Sequence, residues 1–191
     1  MTLRASRRQR GAMLIEVLVA VIVCAFALLG FAAMQARATT AEFEALQRSQ
    51  ALLLMEDMVA RINANRVNAG DYVLAGAIGD GAMEDCTDLT GAVLDLCEWG
   101  NLIRGSTEER GGQRVGSMLA ARGCIVRAAG GSDRYVVSVA WQGVVPTGGA
   151  ASPCGEGDAA LVDETLRRAV ASTVCVGRLR DPALPVAGSR C

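Results

Sequence analysis

Histidine is absent from this chain of 191 residues, and acidic residues are absent from its first eleven. Without histidine the chain lacks the commonest general base and metal ligand, and every Ser–His or Cys–His catalytic pair. Four of its arginines precede Gly11, so the rest of the chain has 15 basic and 20 acidic side chains and a net charge of about −5. An acidic body offers no basic patch, which argues against nucleic-acid binding.

Closely spaced cysteines are also missing. None of the seven cysteines belongs to a C-x-x-C pair, whereas zinc and iron–sulfur sites normally need such spacing. We therefore predict no metal, no cofactor and no catalytic site. Cys24 lies within an apolar run, and six cysteines follow it: Cys86, Cys97, Cys124, Cys154, Cys175 and Cys191. An even number of dispersed cysteines favours disulfides in an oxidising compartment.

The apolar run is the most prominent feature that the chain does have. From Ala12 to Ala36 its only charged residue is Glu16. A helix of that length spans roughly 37 Å, enough to cross the hydrocarbon core of a bilayer. The arginines on its N-terminal side predict a cytoplasmic N-terminus and an exported body. Glu16 is costly there, by roughly 2.5–3.5 kcal/mol on insertion scales, so we expect it to have a function.

The helical pattern continues beyond the apolar run, and no proline occurs before Pro146. An apolar stripe at spacings of three and four predicts one helix from about Ala12 to about Arg66. The stripe consists of the apolar residues Phe43, Leu46, Leu53, Leu54, Met58 and Ile62, together with the polar residue Gln50. Asparagine and glycine then supply stop signals. The alternative is a break near Thr39–Thr40 and two separate helices.

The remainder of the sequence predicts a short helix and three strands. The helix is expected over Thr87–Ile103, capped by Thr87 or Asp88. A polar, glycine-rich loop is expected over Gly105–Gly123. The strands, rich in valine, are expected over Cys124–Ala128, Arg134–Gln142 and Arg167–Val176. The aromatic residues Trp99, Tyr135 and Trp141 are expected in the core. The predicted fold class is α+β, with a long helix on a small antiparallel sheet.

This strand layout restricts the disulfide pairing, for which six cysteines allow 15 connectivities. In a three-stranded meander, Cys124 and Cys175 lie at opposite ends of the strands. At 3.3 Å per residue along a strand, they are about 20 Å or more apart. That separation far exceeds the roughly 4.4–6.8 Å between Cα atoms that a disulfide allows. We therefore expect Cys124 to pair with Cys154, Cys175 with Cys191, and Cys86 with Cys97.

Three common types of N-terminal segment explain this sequence less well: a cleaved signal peptide, a lipoprotein signal and a simple membrane anchor. Ala25-Phe26-Ala27 looks like a signal-peptidase site, but Glu16 interrupts the apolar core of such a signal and the hydrophobic run continues beyond it. Cys24 follows Val23 rather than a small residue, which argues against a lipoprotein. A simple membrane anchor leaves Glu16 unexplained.

RGAMLIEVLVA (Arg10–Ala20) resembles the class III signal of type IV prepilins and pseudopilins. The resemblance implies cleavage by prepilin peptidase between Gly11 and Ala12 and methylation of the Ala12 amine. It divides the chain into a leader (1–11), a transmembrane assembly helix (12–36) and a periplasmic pilin-like body (37–191). Glu16 would pair with the N-terminal ammonium of an adjacent subunit and so set the register of assembly. Ala12-Met13 departs from the Phe-Thr of many members.

The body is similar to the PilV-type minor pilins, also called type IV pilus modification proteins. The similar pieces are RSQALLLMEDMVARINANRVNAGDY (Arg48–Tyr72), DLCEW (Asp95–Trp99), GCIVR (Gly123–Arg127) and YVVSVAWQG (Tyr135–Gly143). This implies a structural subunit of a priming and tip complex, with roles in piliation, adhesion and twitching motility. Its partners would be other minor pilins, the major pilin and the inner membrane. The alternatives are a type II secretion pseudopilin or, in another class, an anchored periplasmic enzyme or binding module.

Overall fold

The computed structural model describes residues 9–105, 109–110, 113–114, 118–129, 133–161 and 163–177. Its first element is one long helix, α1 (Gln9–Ala64). Residues of α1 belong to two compact units, Met1–Phe43 and Glu44–Cys191. The predicted alternative of a break near Thr39–Thr40 is wrong. Both threonine hydroxyls donate to the carbonyl of Ala36, at 2.9 and 3.0 Å, so they are satisfied within an unbroken helix.

In the second unit, α1 ends close to the predicted position. A 3₁₀ turn over Arg66–Tyr72 follows it directly. The amide of Asn65 still donates to the carbonyl of Arg61, and the amide of Asn68 donates to that of Asn65. The helical hydrogen-bond pattern therefore tightens from four-residue to three-residue spacing, which is common at the end of a helix.

The second helix, α2 (Gly91–Ile103), begins four residues later than the sequence predicts. Thr90 occupies the N-cap with no side-chain cap hydrogen bond, so the predicted capping by Thr87 or Asp88 is wrong. The reason is local competition from Asp85, whose carboxylate accepts from both the amide and the hydroxyl of Thr87, at 3.0 and 2.6 Å. Such side-chain bonds favour a turn over a helix.

The sheet has the predicted meander. Its strands are β3 (Arg122–Arg127), β4 (Arg134–Gln142) and β5 (Arg167–Cys175), antiparallel in the order β3-β4-β5. The bounds of β4 are those predicted, and β3 begins two residues early. Within the stretch predicted as loop, β1 (Glu109–Arg110) pairs with β2 (Gln113–Arg114) as a separate short ribbon. A two-residue strand is too short to leave a periodic pattern in the sequence.

The core of the second unit lies between the helices and one face of the sheet. Alternation along β4 points Tyr135, Val137, Val139 and Trp141 inward, where they join Trp99 of α2. These aromatic residues are buried, as predicted. Gly123 of β3 allows the closest approach, because a Cβ atom there would lie 2.6 Å from the Trp99 ring and 2.4 Å from Ile103. The sheet can rest on α2 only with glycine at that position.

The predicted stripe on α1 is partly wrong. The face of α1 that enters the core consists of Ala51, Met55, Met58 and Ile62. Leu46 and Leu53, which belong to the predicted stripe, are 55% and 67% exposed. The second half of α1 therefore has apolar residues on two faces, and spacing alone could not tell which face the sheet covers.

Candidate functional site

Gly11, Ala12 and Glu16 all lie within α1, near its beginning. Ala12 and Glu16 are four positions apart on α1, which is roughly 6 Å along the helix axis at 1.5 Å per residue. The three residues predicted as the processing and register sites therefore lie within about one and a half turns of the same helix.

The helix around Glu16 is apolar and unburied. α1 is the one helix among the described residues that is long and apolar enough to cross a membrane, and its most apolar stretch is not buried at all. Exposed side chains along it include Leu14, Phe26, Leu28 and Leu29. Contiguous apolar surface on this scale needs a cover, either lipid or protein. The helix therefore fits a single-pass membrane anchor.

Glu16 itself is exposed, and it belongs to none of the ion pairs between described side chains. A carboxylate among apolar residues is far less costly once it has a positive partner. Glu16 has no such partner among the described side chains.

Two disulfides join described residues of the second unit, and both are predicted pairs. Cys86 is bonded to Cys97 across the start of α2. Cys124 of β3 is bonded to Cys154 of the β4–β5 connection. Cys175 is also in the disulfide-bonded state, and its predicted partner Cys191 lies outside the described residues. Cys24 is a free, exposed cysteine in the apolar half of α1.

The β4–β5 connection is further held by two buried arginines. Arg122 binds Asp158 with two hydrogen bonds, at 2.6 and 3.1 Å. Arg167 donates to the carbonyls of Ser152 and Cys154, at 2.6 and 3.0 Å. The hydrogen bond from Arg122, together with that from the amide of Ala160, lowers the pKa of Asp158. These contacts fix the connection on the outer face of the sheet, which is the face away from the helices.

Sequence reasoning missed a polar junction that joins α1, the 3₁₀ turn and α2. Arg61 of α1 bonds to Asp57, Asp95 and Glu98, at 2.9, 3.0 and 2.6 Å. Burial would lower the pKa of Arg61, but the bonds with Glu98, Asp57 and Asp95 outweigh it and raise that pKa. The partners are 34 and 37 residues away, so the sequence shows only the ordinary pair Asp57 and Arg61, four residues apart on one helix.

Tyr72 completes this junction. Its hydroxyl donates to the carboxylate of Asp95 and accepts from the side-chain amide of Asn65, at 3.2 Å in the second case. Burial, followed by the bond to Asp95, raises the pKa of Tyr72. Nearby, the indole of Trp99 donates to the carbonyl of Leu54 at 2.8 Å. The end of α1 is therefore tied to α2 by both polar and apolar contacts.

The exposed second face of α1 is a further candidate for contact with other chains. In the second unit it carries Leu46, Leu52 and Leu53. Leu46 and Leu53 are seven residues apart, a spacing typical of residues that pack against another helix. Among the described residues, no three cysteine or carboxylate side chains lie close enough together to hold a metal ion.

Residues 33–99 match the model of a family described as type IV pilin Tt1218. The matched segment includes the second half of α1, the Arg61 junction and most of α2; Gly11, Ala12 and Glu16 precede it. No curated protein and no solved structure matches the chain. Over the matched residues the chain is similar to this type IV pilin family, and together with the helix-on-sheet layout this supports a type IV pilin-like protein.

Proposed function

We propose that the chain is a minor pilin of the PilV type, a structural subunit of the complex that primes a type IV pilus and stays at its tip. The observation that carries the proposal is the unburied apolar half of α1 with Glu16 as its lone charge, joined to a compact α+β unit. Neither part alone requires an assembly. A carboxylate within an apolar helix, with no ion-pair partner among the described side chains, favours a positively charged group beside it in the membrane.

The N-terminus is the site of processing in this proposal. Prepilin peptidase removes residues 1–11 by cutting after Gly11, and the new amine on Ala12 is methylated. Ala12 is small and fits a peptidase site that accepts glycine before it. The mature chain then begins one helical turn before Glu16.

Glu16 acts as the register device. The ammonium on Ala12 of one subunit pairs with Glu16 of its neighbour, which requires a fixed axial offset between the two helices. The exposed leucines on α1, Leu46 and Leu53, extend the helix contact into the second unit. A subunit with the wrong offset would leave two charges unpaired in lipid, which is costly.

The arginine-rich leader places the N-terminus in the cytoplasm, so residues 37–191 lie in the periplasm before assembly and at the cell surface afterwards. The disulfides are consistent with an oxidising compartment. The partners are other minor pilins and the major pilin. The role is structural rather than enzymatic, with support for adhesion and twitching motility through the pilus.

Deletion of the chain tests this function. We expect surface piliation to fall strongly while the membrane level of the major pilin stays unchanged, because a scarce initiating subunit is lost. Sheared pilus fractions and membrane immunoblots measure the two quantities. If the deletion instead stops secretion of soluble proteins and spares the pili, the chain is a type II secretion pseudopilin. If it changes neither, the filament role is wrong and an anchored periplasmic module takes its place.

A further inference from the structure

The two edges of the sheet differ in how their backbone groups are used. At the β3 edge, Leu74 donates to the carbonyl of Ile125 at 2.9 Å, and Ile78 and Gly123 exchange two bonds of 2.9 and 2.8 Å. This segment covers the β3 edge. No described segment pairs with the far side of β5. The sheet is thus closed on one side and, within the described residues, open on the other.

The phase of the β4–β5 ladder identifies the groups on the open side. The amide of Gly143 donates to Leu166, and the amide of Val176 donates to Asp133, at 2.8 and 2.9 Å. With the observed register, even-numbered residues of β5 therefore bond to β4. The odd-numbered residues Ala169, Ala171 and Thr173 direct their N–H and C=O groups away from the sheet.

These three residues have no backbone partner among the described residues beyond β5. Arg167 differs, because its outward amide is taken by the carbonyl of Asp163 at 3.2 Å. Ala171 and Thr173 are exposed, so water or another chain can reach this part of the strand. The open edge therefore consists of three donors and three acceptors in strand geometry.

This edge also lacks the usual protection. Natural proteins guard free strand edges with charged residues, proline or bulges, since an unguarded edge is a template for another strand. From Ala169 to Val174 the sequence is AVASTV, with no charge and no proline. Charge begins again at Arg168, before this stretch. An unguarded edge is a hazard for a solitary domain but useful for a subunit that assembles.

We propose that the β5 edge at Ala169–Thr173 binds an extended segment of a neighbouring subunit by strand addition, an inference that rests on the proposed pilin function. The recognition is through backbone hydrogen bonds, which fits partners of different sequence. On the core side of β5, Val170 and Ser172 are only half-buried. The added segment is therefore expected to present small or β-branched uncharged residues on that side, where they extend the core.

The chain's own C-terminal sequence is poorly suited to this place. Pro182 and Pro185 lack the N–H groups that a ladder requires, and the charged residues Arg178, Arg180 and Asp181 precede them. A second subunit can instead supply a regular strand. The occupant named here is accordingly a segment of another pilin-type chain.

Hydrogen exchange at single-residue resolution tests the inference on the unaltered chain. The full-length protein in detergent micelles is compared with the complex formed when the cell's other pilin subunits are co-expressed. In the isolated chain, the outward amides of Ala171 and Thr173 should exchange rapidly, while those of Ser172 and Val174 are protected by β4. In the complex, all four should be protected. The even-numbered amides serve as the internal control.

Two results would overturn the inference: rapid exchange of Ala171 and Thr173 within a complex that does form, or protection of both already in the isolated chain. The first would leave the proposed function intact. Failure of any complex to form would contradict the proposed function and this inference with it.

A matched pair of variants gives a second test. Ala171→Pro removes one outward N–H and leaves the bonds to β4 untouched, whereas Ala171→Val keeps the N–H. We expect recovery of partner subunits with Ala171→Pro to fall about tenfold and with Ala171→Val to stay unchanged, since at least one interchain bond and the strand fit are lost. Protection of the Ser172 amide checks that the proline variant is folded. Equal recovery with both folded variants would contradict strand addition.

Discussion

Apolar side chains are used in opposite ways in the two units of this chain. In the first unit they line all sides of α1 and none of the most apolar stretch is buried. In the second unit they form a core in which Trp99, Tyr72 and Met58 are fully enclosed. The second unit is therefore stabilised by its own core, whereas the apolar side chains of the first unit need lipid or protein to cover them. The comparison separates residues that stabilise the subunit from residues that assemble it.

The largest expected effect is on assembly, and it comes from the first unit. Glu16→Val removes a costly charge, so the variant should be processed and inserted at least as well as the wild type. It should nevertheless fail to restore surface piliation in a deletion strain, because the proposed ion pair between Glu16 and the neighbouring subunit is lost. Piliation is measured in sheared fractions and processing by immunoblot.

Glu42→Val is the matched control for that variant. Glu42 also lies on α1 and is exposed, but it follows the apolar stretch. It should assemble normally. Full piliation with Glu16→Val would remove the register role, and a defect shared equally by both variants would indicate a general effect of charge on α1.

In the second unit the largest effect should be on stability. Trp99→Ala deletes a buried ring that packs on Gly123 and donates to Leu54, and should lower the free energy of unfolding by about 3–5 kcal/mol. Leu53→Ala on the exposed face of α1 should change it by about 0.5 kcal/mol or less. Urea titration of the full chain in mild detergent measures both. A comparable loss from Leu53→Ala would mean that its face of α1 is packed within the subunit.

Removal of the Cys124–Cys154 bond should have a smaller effect. The double substitution Cys124→Ser with Cys154→Ser should lower the free energy of unfolding by about 2–4 kcal/mol, since the bond closes a loop. Cys24→Ser is the control, because Cys24 is free and exposed. The same urea titration applies. An unchanged midpoint for the double variant would show that Arg122 and Arg167 hold the β4–β5 connection without the bond.

The smallest expected effect depends on pH. Arg122 lowers the pKa of Asp158 in the folded chain, so this pair stabilises the fold above the ordinary pKa of an aspartate. That stabilisation is lost as the pH falls through the lowered value. Asp158→Asn should therefore cost about 1.5–3 kcal/mol at neutral pH and flatten the loss of stability in acid. Unfolding midpoints at several pH values measure this, and parallel pH profiles for variant and wild type would contradict it.

The sequence predicted those features that depend on local pattern. The bounds of β4 follow from its alternating valines, and the predicted meander then restricts the cysteine pairs. The predicted start of α2 was wrong because Asp85 accepts hydrogen bonds from Thr87. The rules for helix capping do not say whether such a turn or a helix cap is the more stable. The Arg61 junction and the covered face of α1 depend on contacts between residues far apart in the chain, which periodicity does not contain.

The predicted roles of Glu16 and Ala12 differ from these features, because they come from the sequence alone and the structure does not bear on them. The family match begins after both residues. Their spacing on α1 is compatible with the proposed pairing. Their proposed roles involve a peptidase and a neighbouring subunit, so these roles have to be measured in the cell.

The most direct measurement is of the mature N-terminus, and the composition of the chain makes it unusually clean. The sequence contains no lysine, so the α-amine is its only primary amine. Protein isolated from membranes is treated with an amine-reactive label, digested and mapped by mass spectrometry, with Gly11→Val as the uncut control. We expect the wild-type N-terminal peptide to begin at Ala12 and to carry one methyl group. A label on the amine of Met1 in the wild type would contradict processing, and with it the assignment of α1 to a pilin assembly.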